Sequence, residues 1–400
     1  MIQVFNRVPS KLSTIMVAFD AGAKAEGKKY QPGMAHMLEH MVFKGTSKRD
    51  YLQIPREIAF LGGAANAYTS HEEVVFYITV PFENVDAAMD ILQDMVFNST
   101  FPSDEFVKER EVVKEEEVSS RDDIGSFIWH SFSGNFYRGS RCATPVIGTQ
   151  ESICNFKLED LKRFYSEFYK KDGAIVVLSG NHSKKDGKEL LTKHFGEAKS
   201  RSFKLNAKPE KTSFADSREV VVHRPEIDHT HVWMGYPSSP IGSENSAADN
   251  IMMSILGGGM DSRLFVEVRD KNALCYGIGV DQHKGRDYSS VIIESSTREE
   301  NIEKMKSLIN LELEKIRTEL VSDEELERAK NKYRSTTYAV LEGSSRSARH
   351  ALRTKFYKLP SIDELSRRVS EVTAQDVMDS ANRIFDDGKR MTLICRKGIN

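Results

Sequence analysis

The chain repeats its own pattern, and that constrains its fold more than any other feature. The segments PSDEFVKERE and VSDEELERAK align on Ser103 and Ser322, an offset of 322 − 103 = 219 residues in a chain of 400. Each half then follows the same order of elements. The first half reads as a strand over Ser13–Ala23, a helical segment over Gly33–Thr46, a β-rich stretch over Ala67–Pro81 and helices over Glu83–Asn98 and Ser103–Ser120. The second reads as a strand over His231–Tyr236, a helix over Ser246–Leu256, a β-rich stretch over Leu274–Thr297 and helices over Asn301–Leu320 and Ser322–Tyr338. Each closes on a short apolar strand, AIVVLSG from Ala174 and MTLICRK from Met391. Strands and helices mix without regular βαβ alternation, so the expected class is α+β: two homologous domains, each a mostly antiparallel sheet packed with helices. A chain this long also exceeds what one core usually covers. The polar stretch Lys199–Ser217 lacks apolar periodicity and is the expected linker, dividing the chain into 1–205 and 216–400.

Within the first helical segment stands His36-Met37-Leu38-Glu39-His40. Positions i and i+4 share a helix face, so His36 and His40 project together with Glu39 beside them. Two imidazoles supply two of the three protein ligands of a catalytic zinc, and a neighbouring carboxylate can take a proton from water. The order H-x-x-E-H is the inverzincin signature, the reverse of the commoner H-E-x-x-H.

The acidic run Glu109–Glu117 offers the third ligand. At about 100° per residue, with Phe106 at zero, Val113 falls near −20° and Val112 near −120°, which defines an apolar arc. Glu109 at about −60° and Glu116 at about −80° fall inside it, Glu117 lies at its rim, and Glu111 and Glu115 lie outside. Carboxylates on a buried face are costly unless paired or metal-bound. Glu109, Glu116 and Glu117 therefore all stay candidates on phase alone.

Four stretches together carry a family resemblance: HMLEHMVFKGT, the Glu-Arg at the head of the acidic run, GGAANAYTS (Gly62–Ser70) and SRLFVEVRDKNALCY (Ser262–Tyr276). They occur in family order over nearly the whole chain, which resembles the pitrilysin family and, within it, the short two-domain processing-peptidase type. The resemblance implies one Zn²⁺ per chain held by His36, His40 and Glu116, with Glu39 as general base and Glu109 supporting the site from behind the ligands. It implies that Arg269 and Tyr276 assist catalysis from the second half. It also implies that Asn66, Ala67, Tyr68 and Thr69 form an edge strand to which a peptide substrate adds. In this family the Arg/Tyr pair faces the zinc of a neighbouring two-domain unit across a closed chamber. This chain has both sets but half the length of the long members, so the expected partner is a second copy, with Arg269 and Tyr276 acting across a homodimer. The expected activity is a zinc-dependent endopeptidase for short or unstructured peptides. The alternative is a catalytically idle assembly or scaffold subunit of the same fold.

Composition narrows the field. Acidic and basic side chains nearly cancel, at 59 and 57, which argues against nucleic-acid binding through bulk charge. No apolar run approaches a membrane span, and the opening residues read as strand, without the pattern of a secretory signal. Cys142, Cys154, Cys275 and Cys395 are scattered and read as reduced thiols in a cytoplasmic protein. Gly257–Gly259 lacks the G-K-[ST] of a phosphate loop and reads as a turn where small residues allow close approach. His229 and His231 read as strand histidines, and His71 as a surface residue or a substrate contact. The second half places Met252 and Met253 where the first has its motif, so that half reads as lacking metal.

Overall fold

The computed structural model describes residues 1–198, 214 and 218–398. The expected linker, Lys199–Ser217, thus lies outside the described residues apart from Phe214. The strands are β1 (Ile2–Arg7), β2 (Leu12–Phe19), β3 (Ala64–Thr69), β4 (Val74–Pro81), β5 (Ala174–Gly180), β6 (Arg218–Arg224), β7 (Thr230–Pro237), β8 (Cys275–Lys284), β9 (Ser289–Thr297) and β10 (Met391–Lys397). They build two five-stranded sheets with matching orders, β1-β5-β2-β4-β3 and β6-β10-β7-β9-β8. In each sheet the edge pair made by the first and last strands of the half is parallel and every other pair is antiparallel. The class is α+β, with two similar mixed sheets, each packed with helices.

Why β2 is so apolar follows from its place. Ile15, Val17 and Phe19 point into the main core, while Met16 and Ala18 point to the other face, into a second cluster with Ala348, Leu352 and Phe356. A strand covered on both sides reads as a continuous apolar run. The second cover is the helix Ser344–Phe356, from late in the chain. The two compact units are accordingly not simple sequence halves. Among the described residues, the first gathers 1–126, 144–198 and 338–359, and the second 127–143, 214, 218–337 and 360–398. The second sheet has an equivalent cover in the helix Ile124–Phe136. A Cβ on Gly235 of β7 would lie 2.2 Å from Phe132 Cζ, so glycine there lets the aromatic helix sit down on the sheet.

Element ends shift as local chemistry dictates. The strand expected over Ser13–Ala23 is β2, which stops at Phe19, and a short 3₁₀ turn at Ala23–Glu26 follows. Each β-rich stretch resolves into two strands, β3/β4 and β8/β9. The helical segment Gly33–Thr46 narrows to Met34–Val42, beyond which Gly45 takes φ 127°. All four cysteines are free thiols. Among the described residues no helix is long and apolar enough to cross a membrane.

Candidate metal centre

The helix Met34–Val42 has two faces with different work. Met34, Met37, Leu38 and Met41 are fully buried at i, i+3, i+4 and i+7 spacing, each contributing about 1.5–3 kcal/mol of burial. His36 and His40 leave from the other side. The helix start is held firmly. Gly33 takes φ 94°, and a Cβ there would lie 2.3 Å from the Ile147 carbonyl oxygen. The Gly33 and Ala35 amides donate to Glu26 Oε1 at 3.0 Å each. Glu26 is fully buried, so a carboxylate answers the amides and the positive end of the helix dipole.

From the helix Ser103–Asp122, Glu116 reaches both rings. Its Oε1 lies 3.7 Å from His36 Nε2 and its Oε2 3.3 Å from His40 Nε2. Ligands at about 2.0–2.2 Å around a tetrahedral ion sit about 3.3–3.6 Å apart, so the separations suit one zinc-sized cation. The donor set fits as well. His40 Nδ1 donates to Glu109 Oε1 at 2.9 Å, which leaves the Nε2 lone pair for a metal, and such partners are common behind ligating histidines. Glu109 also pairs with Lys44 at 2.5 Å. His36 Nδ1 is buried without a hydrogen-bond partner among the described residues.

The charges explain what the site wants. Burial and the neighbouring His40 push His36 down to about 4. Burial would lower His40 too, but hydrogen bonds to Glu109 and Glu116 outweigh it and raise the ring to about 9. One proton on His40 thus balances the carboxylates, and a divalent cation can take its place. Glu39 is raised by burial and pulled partly back by the Thr69 hydroxyl, which donates to its Oε2 at 2.5 Å. Thr69 belongs to β3, the sheet-edge strand, and Asn66, Ala67, Tyr68 and Thr69 line the same cleft of about 530 Å³ as the histidines, Glu39 and Glu116.

Two family models match the chain. A model described as insulinase (peptidase family M16) matches residues 3–150, and one described as the peptidase M16 inactive domain matches 155–333. The chain belongs to peptidase family M16. An uncharacterized zinc protease of Rickettsia felis is 29% identical over 91% of this chain and 87% of its own. One from Bacillus subtilis is 28% identical over 92% and 89%. A protease from Helicobacter pylori shares the fold, with TM-score 0.88 at 24% identity over 98% of this chain and 96% of that one. A structure titled peptidase M16 inactive domain, from Pseudomonas fluorescens, superposes with TM-score 0.89 at 20% identity, over 99% and 95%.

In this M16 chain the histidines, Glu39, Glu109 and Glu116 fall in the first matched region, and Arg269 and Tyr276 in the second. The latter two are neighbours: the Arg269 guanidinium lies over the rings of Phe265, at 4.4 Å, and Tyr276, at 5.5 Å. Arg269 sits in a π-helical turn, Phe265–Lys271, a form frequent at functional sites. Tyr276 is 89% exposed. His229 and His231 join no metal-sized cluster among the described residues.

The helical-phase reading of the acidic run needs correction. Val112 is half exposed, and burial runs instead through Phe106, Glu109, Val113 and Glu117. Glu117 is the buried one, paired with Arg121 at 2.9 Å and Gln150 at 2.6 Å. Glu116 stands at the edge of that face, its side chain 46% exposed in the cleft. An arc drawn through Val112 was too wide on the Glu116 side. Glu26 and Lys44 escaped the sequence reading because neither lies at a spacing that signals a contact with the motif.

Proposed function

We propose that this chain is a zinc-dependent endopeptidase acting on short or unstructured peptides. The convergence of His36 Nε2, His40 Nε2 and the Glu116 carboxylate, at separations suited to one ion, carries the reading. The names of the zinc-protease relatives support it. Zinc held there supplies Lewis-acid chemistry, polarising a carbonyl and acidifying water. The chain's own residues do the rest. Glu39 Oε2 is engaged by Thr69, which leaves Oε1 to accept a proton from water and return it to the leaving amine. Its burial raises its basicity toward the working range of a general base. Glu109 holds His40 in the tautomer that turns Nε2 toward Glu116. The free edge of β3 offers main-chain groups for an extended peptide to pair with, so recognition would be broad in sequence.

Arg269 and Tyr276 present hydrogen-bond donors suited to a developing oxyanion. They would serve the active site of a second copy across a closed chamber. Mixing a Glu39→Gln subunit with an Arg269→Ala subunit tests this: recovered cleavage of a quenched peptide supports sharing, and no recovery refutes it. Cleavage lost to chelator and restored by Zn²⁺ tests the peptidase itself. A chain that binds zinc yet cleaves no peptide would be the idle subunit instead.

A further inference from the structure

We propose that Asp281, His283 and Glu294 form a second cation site, separate from the one on the first sheet and suited to a first-row divalent transition ion. The face they share follows from strand periodicity. Ile278 on β8 and Val291 and Ile293 on β9 point into the main core of the second unit. Asp281 and His283 on β8 and Glu294 on β9 point the other way. In the ladder Asp281 pairs with Ile292 and Gly279 with Glu294, so the two carboxylates meet diagonally across neighbouring strands. One ligand atom from each of the three side chains lies within 4.8 Å of the others.

Three further observations point to a ligand. The His283 ring is stacked on Trp129, with centroids 4.0 Å apart and planes 27° apart, which fixes the ring before anything binds. Its Nε2 lies 3.9 Å from Asp281 Oδ2. Glu294 is only partly accessible, yet its carboxylate has no hydrogen bond or ion pair to any described residue. Asp281 Oδ1 does accept from the Gln282 amide, at 2.7 Å. Two like charges across adjacent strands are destabilising, and a half-buried carboxylate without a donor is costly. A divalent ion removes both costs at once.

One imidazole nitrogen and two carboxylate oxygens suit Zn²⁺, Co²⁺ or Mn²⁺ better than an all-oxygen ion such as Ca²⁺. The Asp281 side chain is 70% exposed, so water can complete the shell, and affinity should fall below that of the more enclosed histidine pair. An ion there would pin β8, the strand in which Tyr276 stands, to β9.

The chain's two tryptophans make the test direct. Trp129 stacks on His283, and Trp233 pairs with Glu294 in the β7–β9 ladder. The full chain, already loaded with one equivalent of Zn²⁺, is titrated with Co²⁺ while tryptophan emission is followed. Saturable quenching at one further equivalent is expected, with affinity weakened at least about tenfold in His283→Gln and in Glu294→Gln. Asp281→Asn, at an exposed position, gives a third variant should either of those fail to fold by circular dichroism. Absence of saturable quenching up to about 1 mM, the weak end of the range over which biological cation sites bind, overturns the proposal. So does an isotherm that folded variants leave unchanged.

Discussion

The two units carry the same sheet and different contents. Both orders put the first and last strands of the half side by side in parallel and leave a hairpin strand, β3 or β8, at the far edge. Both set a helix against that edge strand, Met34–Val42 in one and Ser246–Gly257 in the other. In the first unit the helix offers two imidazoles to an acidic partner helix. In the second, Met252 is fully buried and Met253 packs against the same core. At the offset of 219, Glu109 and Glu116 correspond to Arg328 (328 − 109) and Ser335 (335 − 116). Arg328 pairs with Asp261 at 2.9 Å, and Ser335 is exposed. The helix end differs too: a Cβ on Gly257 would lie 2.4 Å from Val280 Cγ2 of β8, so the glycine run brings helix and edge strand together. Fold and side-chain content are therefore separable here: the scaffold tolerates either a cluster of imidazoles and carboxylates or packed methionines at the same place.

Substitutions can break that contrast. The largest effect is expected from His40→Ala or Glu116→Gln, which should remove the tightly held zinc and all peptide cleavage together; metal analysis beside a peptide assay checks both. If zinc stays, the ligands have been misidentified. Glu39→Gln should separate the two readouts, keeping zinc while cleavage falls about 10²–10⁴-fold. In the second unit, Met252→Ala should cost about 2–5 kcal/mol of stability with zinc content unchanged. Denaturant unfolding measures the first, and a loss of zinc would show that the second unit feeds the metal site. The smallest effect is expected from Glu26→Gln, about 0.5–2 kcal/mol from a weakened helix start, read as a lower melting temperature.

Much of this contrast is legible in the sequence. The duplicated acidic segment and the paired apolar strands give the order of elements in both halves, because strands covered on both faces and helices with one buried stripe leave clear periodic marks. The i, i+4 histidines declare a shared face for the same reason. Other features leave no such mark. Helices Ile124–Phe136 and Ser344–Phe356 each cover a sheet belonging mainly to the other half of the sequence, and no local pattern states which sheet an amphipathic helix will cover. Glu116 and Glu117 differ by one position, finer than a phase set by three apolar residues can resolve. Glu26 acts through two amides seven and nine residues on, and a side chain that caps from a distant loop resembles any other glutamate until the chain closes around it.

The two imidazoles leave one short, firmly anchored rod, so the gap between them is nearly set. The opposing oxygen stands on a separate rod, and the Lys44–Glu109–His40 chain of contacts ties the two together. The assembly works like a calliper with one fixed jaw. If an ion sits there as proposed, the seating of the acidic helix would decide which ionic radius it grips best, and packing changes beneath Phe106 or Val113, far from any ligand atom, should retune metal preference.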